Sequence, residues 1–411
     1  MKDIKTKSIG IFVDSEKASG GAYQELLTFI RNFEKFNKNY NLNFTILCTS
    51  KKLGFDKNLT KFKIVYFNMG SISRYIHYLF NFHHFFRRIR KFLFFKNKFE
   101  SFLKENDIDY LVFTGPSQYP LYLEKTNFCM IVPDVNHREN NEFPELSFTP
   151  EYSRKDEIFT KCLPKSSMII TNSEDIKKRI SFFYKILEER IIVINQQPSE
   201  SIKEFNKKKD DNESIKFKEK NNLPNNYIYY PAMYLPHKNH KYIIDGIKKL
   251  NLSEKINISA VFSGSDKGYL ENLKYYAKKN DIDKKIIFLN FVSDDDLPYL
   301  YINSIALVMP TLMGPTNIPP WEAFKLNIPV LYTDFPNVKS VLKDAVHYID
   351  PLNTDSMVEG IKKIISDESF KNELTLKGSK LINSINEKEE YDKFFKSILK
   401  NSRIRERWIF N

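Results

Sequence analysis

Cysteine is scarce in these 411 residues: Cys48, Cys129 and Cys162 are the only three. Thiols so few and so scattered exclude a disulfide framework and a cysteine-based zinc site. They read as reduced, buried side chains, which suits a reducing cytoplasm. Long apolar runs are also missing. None approaches the ~20 residues that span a bilayer. The first apolar piece, Ile9 to Val13, stops at Asp14, too short for the core of a secretory signal. The chain is therefore expected to stay in the cytoplasm. The 12 glycines and 18 prolines show no period, and no self-similar repeat occurs, which excludes collagen-like, low-complexity and solenoid architectures.

What is present is enough apolar material for two cores. Hydrophobic residues make up 42% of the chain, and this length fits two domains at ~100–200 residues each. Charge is uneven. Of 64 basic and 51 acidic residues, 12 Lys/Arg against 2 Asp/Glu lie in residues 51–100. Such a local excess points to a basic patch facing something anionic. Within it, Tyr75, Tyr78, Leu79, Phe82, Phe86, Ile89 and Leu93 recur at helical spacing, while Arg87, Arg88, Arg90 and Lys91 fall mostly off that stripe. A helix over residues 72–98 can lie in a lipid interface with cations near phosphates, as a peripheral contact on the inner face of the membrane. Packing of the stripe on the protein's own sheet is the plain alternative. Nucleic acid is disfavoured, because no zinc-finger or ribonucleoprotein motif accompanies the charge.

Short β-rich runs alternate with helical lengths. Strands are expected at Ile9–Val13, Phe44–Cys48, Lys63–Phe67, Tyr110–Thr114, Cys129–Val132 and Met168–Thr171. A second series follows at Tyr227–Tyr230, Ile256–Phe262, Lys285–Leu289, Ala306–Met309 and Pro329–Tyr332. The pattern predicts an α/β protein with two Rossmann-like, doubly wound parallel sheets facing across a cleft. The expected division is an N-terminal domain over 1–200, a charged linker with a surface helix over 201–226, a C-terminal domain over 227–390, and a last segment 391–411 crossing back to the N-terminal domain. Ligands in such sheets sit beyond the carboxyl ends of the strands.

The chemistry-bearing residues fall at those ends. Lys238 lies in Pro236-His-Lys-Asn-His240, between a strand and a helix start, where a cation and free N–H groups suit an anion; a solvated surface lysine is the alternative. Gly264 in Ser263-Gly-Ser-Asp permits a tight strand exit. Asp294, Asp295 and Asp296 suit the first turn of a helix better than a metal. In Gly314-Pro-Thr-Asn-Ile-Pro-Pro-Trp-Glu322, the amides of Asn317 and Ile318 can face a phosphate, and Glu322 can take two ribose hydroxyls or be a mere helix-start acid. Gly20-Gly21 suits a phosphate-approach loop or a plain turn. Asp134 and His137 lie at a strand's carboxyl end, with Asp134 suited to acid–base or orienting work, or to capping a turn.

Taken in order, these blocks resemble the family 4 glycosyltransferases of the GT-B fold. The resemblance rests on Gly20-Gly21, Pro133-Asp-Val-Asn-His-Arg138 with Phe143-Pro-Glu145, Ile170-Thr-Asn-Ser-Glu174, Tyr230-Pro-Ala232 with Pro236-His-Lys-Asn-His240, Ser263-Gly-Ser-Asp266 and Gly314 through Ala323. It implies a retaining, metal-independent transfer from a nucleotide diphosphate sugar to a glycan or lipid-linked acceptor, with no cofactor. Lys238 would then neutralise the diphosphate and Glu322 bind the ribose. The backbone of Thr316, Asn317, Ile318 and Pro319 would hold donor sugar or β-phosphate. Gly264, Phe291 and Val292 would border the base, and Gly21 would approach the diphosphate. Catalytic roles fall to Asp134, Lys238 and Glu322. The acceptor and membrane side falls to His137, Arg87, Arg88, Arg90 and Lys91. Three positions depart from the family pattern. Gly314 stands where the first of two glutamates is usual, as in a subgroup with Gly-Pro-Thr-Asn-Ile-Pro-Pro. Pro133 replaces a histidine, and Met233 falls near the usual arginine, which leaves His237 as its substitute. An epimerase or hydrolase of the same fold, and a degenerate sugar- or lipid-binding module, are the rival readings.

Overall fold

The computed structural model describes residues 8–14, 21–40, 42–50, 62–82, 86, 96–140, 142–143, 150–205, 207–314 and 317–407. They form two compact units. The first comprises Met1–Ser19, Phe29–Asn195 and Glu387–Asn411; the second comprises Gly20–Thr28 and Gln196–Asn386.

The first unit holds β1 (Ser8–Val13), β2 (Asn43–Cys48), β3 (Ile64–Tyr66), β4 (Tyr110–Phe113), β5 (Asn127–Ile131), β6 (Met168–Thr171) and β7 (Ile191–Val193). They form one seven-stranded sheet in the order β3-β2-β1-β4-β5-β6-β7. Every pair is parallel, with Ile9 opposite Phe44 on one side and Tyr110 on the other. Helices cover the sheet, so the strands read as continuous apolar runs. Ile9, Ile11, Ile46, Leu111, Val112 and Ile169 are all fully buried, and the three cysteines are free and buried.

The last helix, Glu387–Glu406, completes this unit. Tyr391, Phe394, Phe395 and Ile398 are buried. Phe394 packs its ring 5.9 Å from Phe29 and 6.0 Å from Phe33, and Phe395 lies 5.0 Å from Phe33. Glu390 accepts the backbone N–H of Asn195 at 3.0 Å, fixing the helix start to the end of β7. Phe394→Ala should therefore cost about 3–5 kcal/mol in urea unfolding of the full chain, because the void is walled by rings held from several sides. A loss below ~1 kcal/mol would mean that the helix is not held by this cluster.

The second unit holds β8 (Tyr227–Pro231), β9 (Ser259–Ser263), β10 (Ile286–Leu289), β11 (Ala306–Met309), β12 (Val330–Thr333) and β13 (His347–Ile349). Their order is β10-β9-β8-β11-β12-β13, all parallel. The chain winds outward from β8 to β10, then returns to β11 and winds the other way. The topological switch point lies between β8 and β11. The core has unusually many tyrosines, each with its hydroxyl satisfied, as burial of a polar tip requires. Tyr227 donates to the Leu300 carbonyl at 2.8 Å, and Tyr234 to that of Leu289 at 2.6 Å.

Two strands not expected from the sequence, β7 and β13, are three residues long. The stretch 201–226, expected as a linker with a surface helix, is largely helical. Helices Glu200–Glu204 and Lys207–Lys220 pack on the second unit through Ile202 and Phe217, and Leu223 joins the same core.

Candidate functional site

The site expected from the sequence is a set of loops at the carboxyl ends of β8, β9, β10 and β11. Adjacent strands lie ~4.8 Å apart, so loops leaving β8 and β11 are neighbours by construction. The loop after β8 turns through Pro236–Lys238 into helix His240–Leu252. Asn239 makes that turn with φ 58°, a left-handed conformation that asparagine tolerates. Its side-chain amide donates to the carbonyls of Pro310 at 3.2 Å and Pro351 at 2.9 Å, tying the loops after β8, β11 and β13 together. The backbone adds a second tie, from the Leu312 N–H to the His237 carbonyl at 2.8 Å. Tyr230 donates to the Lys238 carbonyl at 2.9 Å from beneath.

Lys238 is half-buried at this crossing. Its charge is felt next door. Burial, helped by the Lys238 ammonium, pushes the His240 imidazole down to about 3. His237 is buried and lends its carbonyl to the β11 loop.

The β11 loop runs to Gly314 (φ +94°), whose carbonyl accepts from the Asn317 amide at 3.2 Å and the Tyr332 hydroxyl at 3.3 Å. A positive φ is a conformation that only glycine adopts without strain. Helix Ile318–Lys325 follows, with Asn317 at its cap and prolines in its first turn. Thr316 lies outside the described residues. On that helix Glu322 is only 6% exposed. Tyr301, fully buried on helix Leu297–Ile302, donates to Glu322 Oε2 at 2.6 Å, and the Ser199 N–H donates as well. Burial pushes the Glu322 carboxyl up to about 7; the two donors oppose this, and the nearby Asp294 charge adds to it. Asp294 in turn accepts from the Gln24 side-chain amide. The carboxylate is thus held by fixed donors in a dry place, a pre-oriented acceptor.

Gly264 follows β9. A Cβ there would lie 2.2 Å from the Ala232 carbonyl oxygen, so the missing side chain makes room for the neighbouring backbone. After β10, Phe291 is 63% exposed, while Val292 packs on the core. Ser293 caps the next turn through Asp296 N–H at 3.2 Å. Among the described residues no three His, Cys, Asp or Glu side chains cluster as a metal site.

The first unit gathers a different set. Gly21 opens helix Gly21–Asn37, and Gly20 lies outside the described residues. Asp134 follows β5 and accepts from the Asn136 N–H at 3.1 Å and from Lys155 Nζ at 2.8 Å. Burial raises its carboxyl, but Lys155 and the turn N–H outweigh this and hold it below the ordinary range. That is a capped turn with a paired charge, and a poor proton donor near neutrality. His137 is 2% exposed, with Nε2 2.9 Å from the Tyr184 hydroxyl. Burial, then Lys155, pushes its imidazole down to about 4. Its side chain is buried inside the unit. Arg87, Arg88, Arg90 and Lys91 lie outside the described residues. In the preceding helix, Ser71–Phe82, Tyr75 is 63% exposed while Tyr78 turns inward to Glu157 at 2.8 Å, so the aromatic stripe is divided between solvent and the protein's own packing.

Sequence reasoning missed Tyr301, Ser199 and the clamping role of Asn239. The first two reach Glu322 from distant segments and carry no local signal. Asn239, directly before a helix and after a charged turn, could have been read as a left-handed cap.

Residues 211–381 match the family Glycosyl transferases group 1. The O-antigen chain mannosyltransferase RfbU of Salmonella typhimurium is 30% identical over 197 residues, 48% of this chain and 50% of that one. The chain spans about half the length of the curated relatives it matches. A crystal structure of a glycosyltransferase from Rickettsia africae superposes with a TM-score of 0.70 at 15% identity, over 97% of this chain and all (100%) of the other. Anabaena HepE in complex with UDP superposes with a TM-score of 0.68 at 12% identity, over 96% of this chain and 100% of the other. The chain carries the GT-B fold of two doubly wound parallel sheets, and over residues 211–381 it matches the group 1 glycosyl transferases.

Proposed function

We propose that this protein is a retaining glycosyltransferase. It moves a hexose-type sugar from a nucleotide diphosphate donor to a lipid-linked or growing surface glycan at the inner face of a bacterial membrane. Mannose is the favoured sugar, because the RfbU relative carries that activity in its name. The Gly314-Pro-Thr-Asn-Ile-Pro-Pro320 loop resembles that of the subgroup that lacks the first of two glutamates.

One observation supports the reading: Lys238 lies in the loop after β8 and Glu322 on the helix that follows the β11 loop, and those two loops are hydrogen-bonded to each other at the switch point. Glu322 accepts the two ribose hydroxyls. Lys238 faces the diphosphate and takes up the negative charge that grows as the sugar–phosphate bond breaks. At 4 Å and an effective dielectric of ~20, one cation lowers such a charge by about 4 kcal/mol. The half-buried position keeps that interaction from being fully screened. Residues 72–98 supply a basic surface for the acceptor's membrane.

Lys238→Ala should lower kcat by about 100-fold or more with GDP- or UDP-sugars, at an unchanged melting temperature. Full activity in that variant would remove Lys238 from the reaction. Sugar release without any acceptor would favour a hydrolase or epimerase of this fold. Donor binding with no turnover for any acceptor would favour a binding module.

A further inference from the structure

The last helix has two faces with opposite chemistry. Tyr391, Phe394, Phe395 and Ile398 are buried against the first unit. On the other side Lys396, Lys400, Arg403 and Arg407 are all exposed. Their spacing of four, three and four residues places them within about 60° of arc at 3.6 residues per turn. That arc is centred opposite the buried face. None of the four has a carboxylate partner among the described residues, although neighbouring Lys393 pairs with Glu389 at 2.9 Å. Leu399 flanks the stripe on one side and Ile404, 52% exposed, on the other. Together the six side chains line an open hollow of about 610 Å³.

We propose that this stripe is a docking surface for an anionic phospholipid leaflet. Cations in a row with aliphatic side chains along both edges match a membrane interface, where phosphates lie beside acyl chains. A nucleic acid would satisfy the cations but would leave Leu399 and Ile404 without a partner. The helix is anchored by its ring cluster, so the stripe is presented by a rigid body and pays little ordering cost on binding. The surface includes none of residues 87–91, and it needs no donor. A failed transfer assay would leave it standing.

Full-length protein is co-sedimented with vesicles of phosphatidylcholine alone, or mixed with phosphatidylglycerol. Binding is expected only to the mixed vesicles, and it should weaken with salt. Each basic residue near such a surface contributes about five-fold in partitioning. The quadruple variant K396E/K400E/R403E/R407E should therefore lose about 100-fold or more, with Arg87, Arg88, Arg90 and Lys91 left in place. Ile404→Ser should weaken vesicle binding further while leaving binding to a single-stranded RNA probe unchanged. If the glutamate variant melts early, glutamines at the same four positions serve instead. Vesicle binding within about three-fold of the parent in a folded quadruple variant would overturn the inference. So would a variant that loses RNA binding but keeps vesicle binding.

Discussion

Glu322→Gln is expected to abolish nucleotide diphosphate binding and, at pH 8, to make the protein more stable. The two effects have one cause. The carboxyl is nearly sealed from solvent, and burial holds it up to about 7 from an ordinary value near 4.5. The folded state therefore binds this proton more tightly than the unfolded chain does. Stability from this group is fully present below pH ~4.5 and is lost as pH rises from there through about 7. Above pH 7 the folded protein carries the full cost of a buried charge, on the order of 3 kcal/mol. Glutamine has the same shape without the charge. Its oxygen can take the Ser199 N–H, and its NH2 can donate to the Tyr301 oxygen, whose hydroxyl rotates away.

Under the proposed function, the same substitution removes the anionic acceptor for the ribose hydroxyls. Charge-assisted hydrogen bonds of this kind are each worth about 1.5–3 kcal/mol, so affinity should fall by about 100-fold or more. Wild-type affinity should itself weaken as pH falls below about 7, because the protonated carboxyl is a poorer acceptor. Melting curves and calorimetric titration with GDP and UDP across pH 5.5–8.5 (~ three pH units spanning the transition) read both effects. Wild-type nucleotide affinity in Glu322→Gln would remove this residue from the donor site. A lower melting temperature at pH 8 would show that the buried charge is stabilised by more than Tyr301 and Ser199.

How far this site was visible in the sequence depended on the range of each contact. Lys238 and Glu322 stand out as candidates in the sequence because each lies shortly past an apolar run, and strand ends in doubly wound sheets are where ligands are held. Tyr301 was not legible, since in sequence it reads as one more aromatic of a short helix; only the fold turns its hydroxyl onto Glu322. The same holds for strands. Runs such as Ile9–Val13 and Ala306–Met309 are long enough to show as buried strands, whereas Ile191–Val193 and His347–Ile349 are too short to stand out. The stretch 201–226 reads as a connection with a surface helix, and the anchors Ile202, Phe217 and Leu223 that pack it on the second unit's core are too sparse among its charges to set a period. Asp134 shows the converse. Its place after a strand suits acid–base or orienting work or a capped turn, and Lys155, on a later helix, together with the Asn136 N–H holds it as the ionised carboxylate.

Gly264→Ala should be the most damaging single-methyl change in the second unit's site. The new Cβ would lie 2.2 Å from the oxygen, 2.6 Å from the carbonyl carbon of Ala232, and 3.0 Å from the Met233 nitrogen. All three are backbone atoms, so no side chain can swing aside. The two strands of backbone are also zipped together at this point, by the Ala232 N–H to the Ser263 carbonyl at 2.9 Å and the Tyr234 N–H to the Ser265 carbonyl at 3.1 Å. Relief requires parting them. Overpacking costs about 1–3 kcal/mol, and two strained or broken hydrogen bonds add about 1 kcal/mol each. The segment forced to move leads straight into Pro236–Lys238, and a displacement of ~1 Å at a charge-stabilising residue can cost about 100-fold in rate. Gly314→Ala separates space from conformation. Its Cβ would meet nothing closer than the Asn317 amide at 3.7 Å, but its φ of +94° is strained for alanine. That variant should lose about 1–2 kcal/mol, with its effect confined to the β11 loop. If Gly264→Ala melts like the parent and turns over donor normally, the loops after β8 and β9 are not packed backbone to backbone, and Lys238 does not owe its position to that contact.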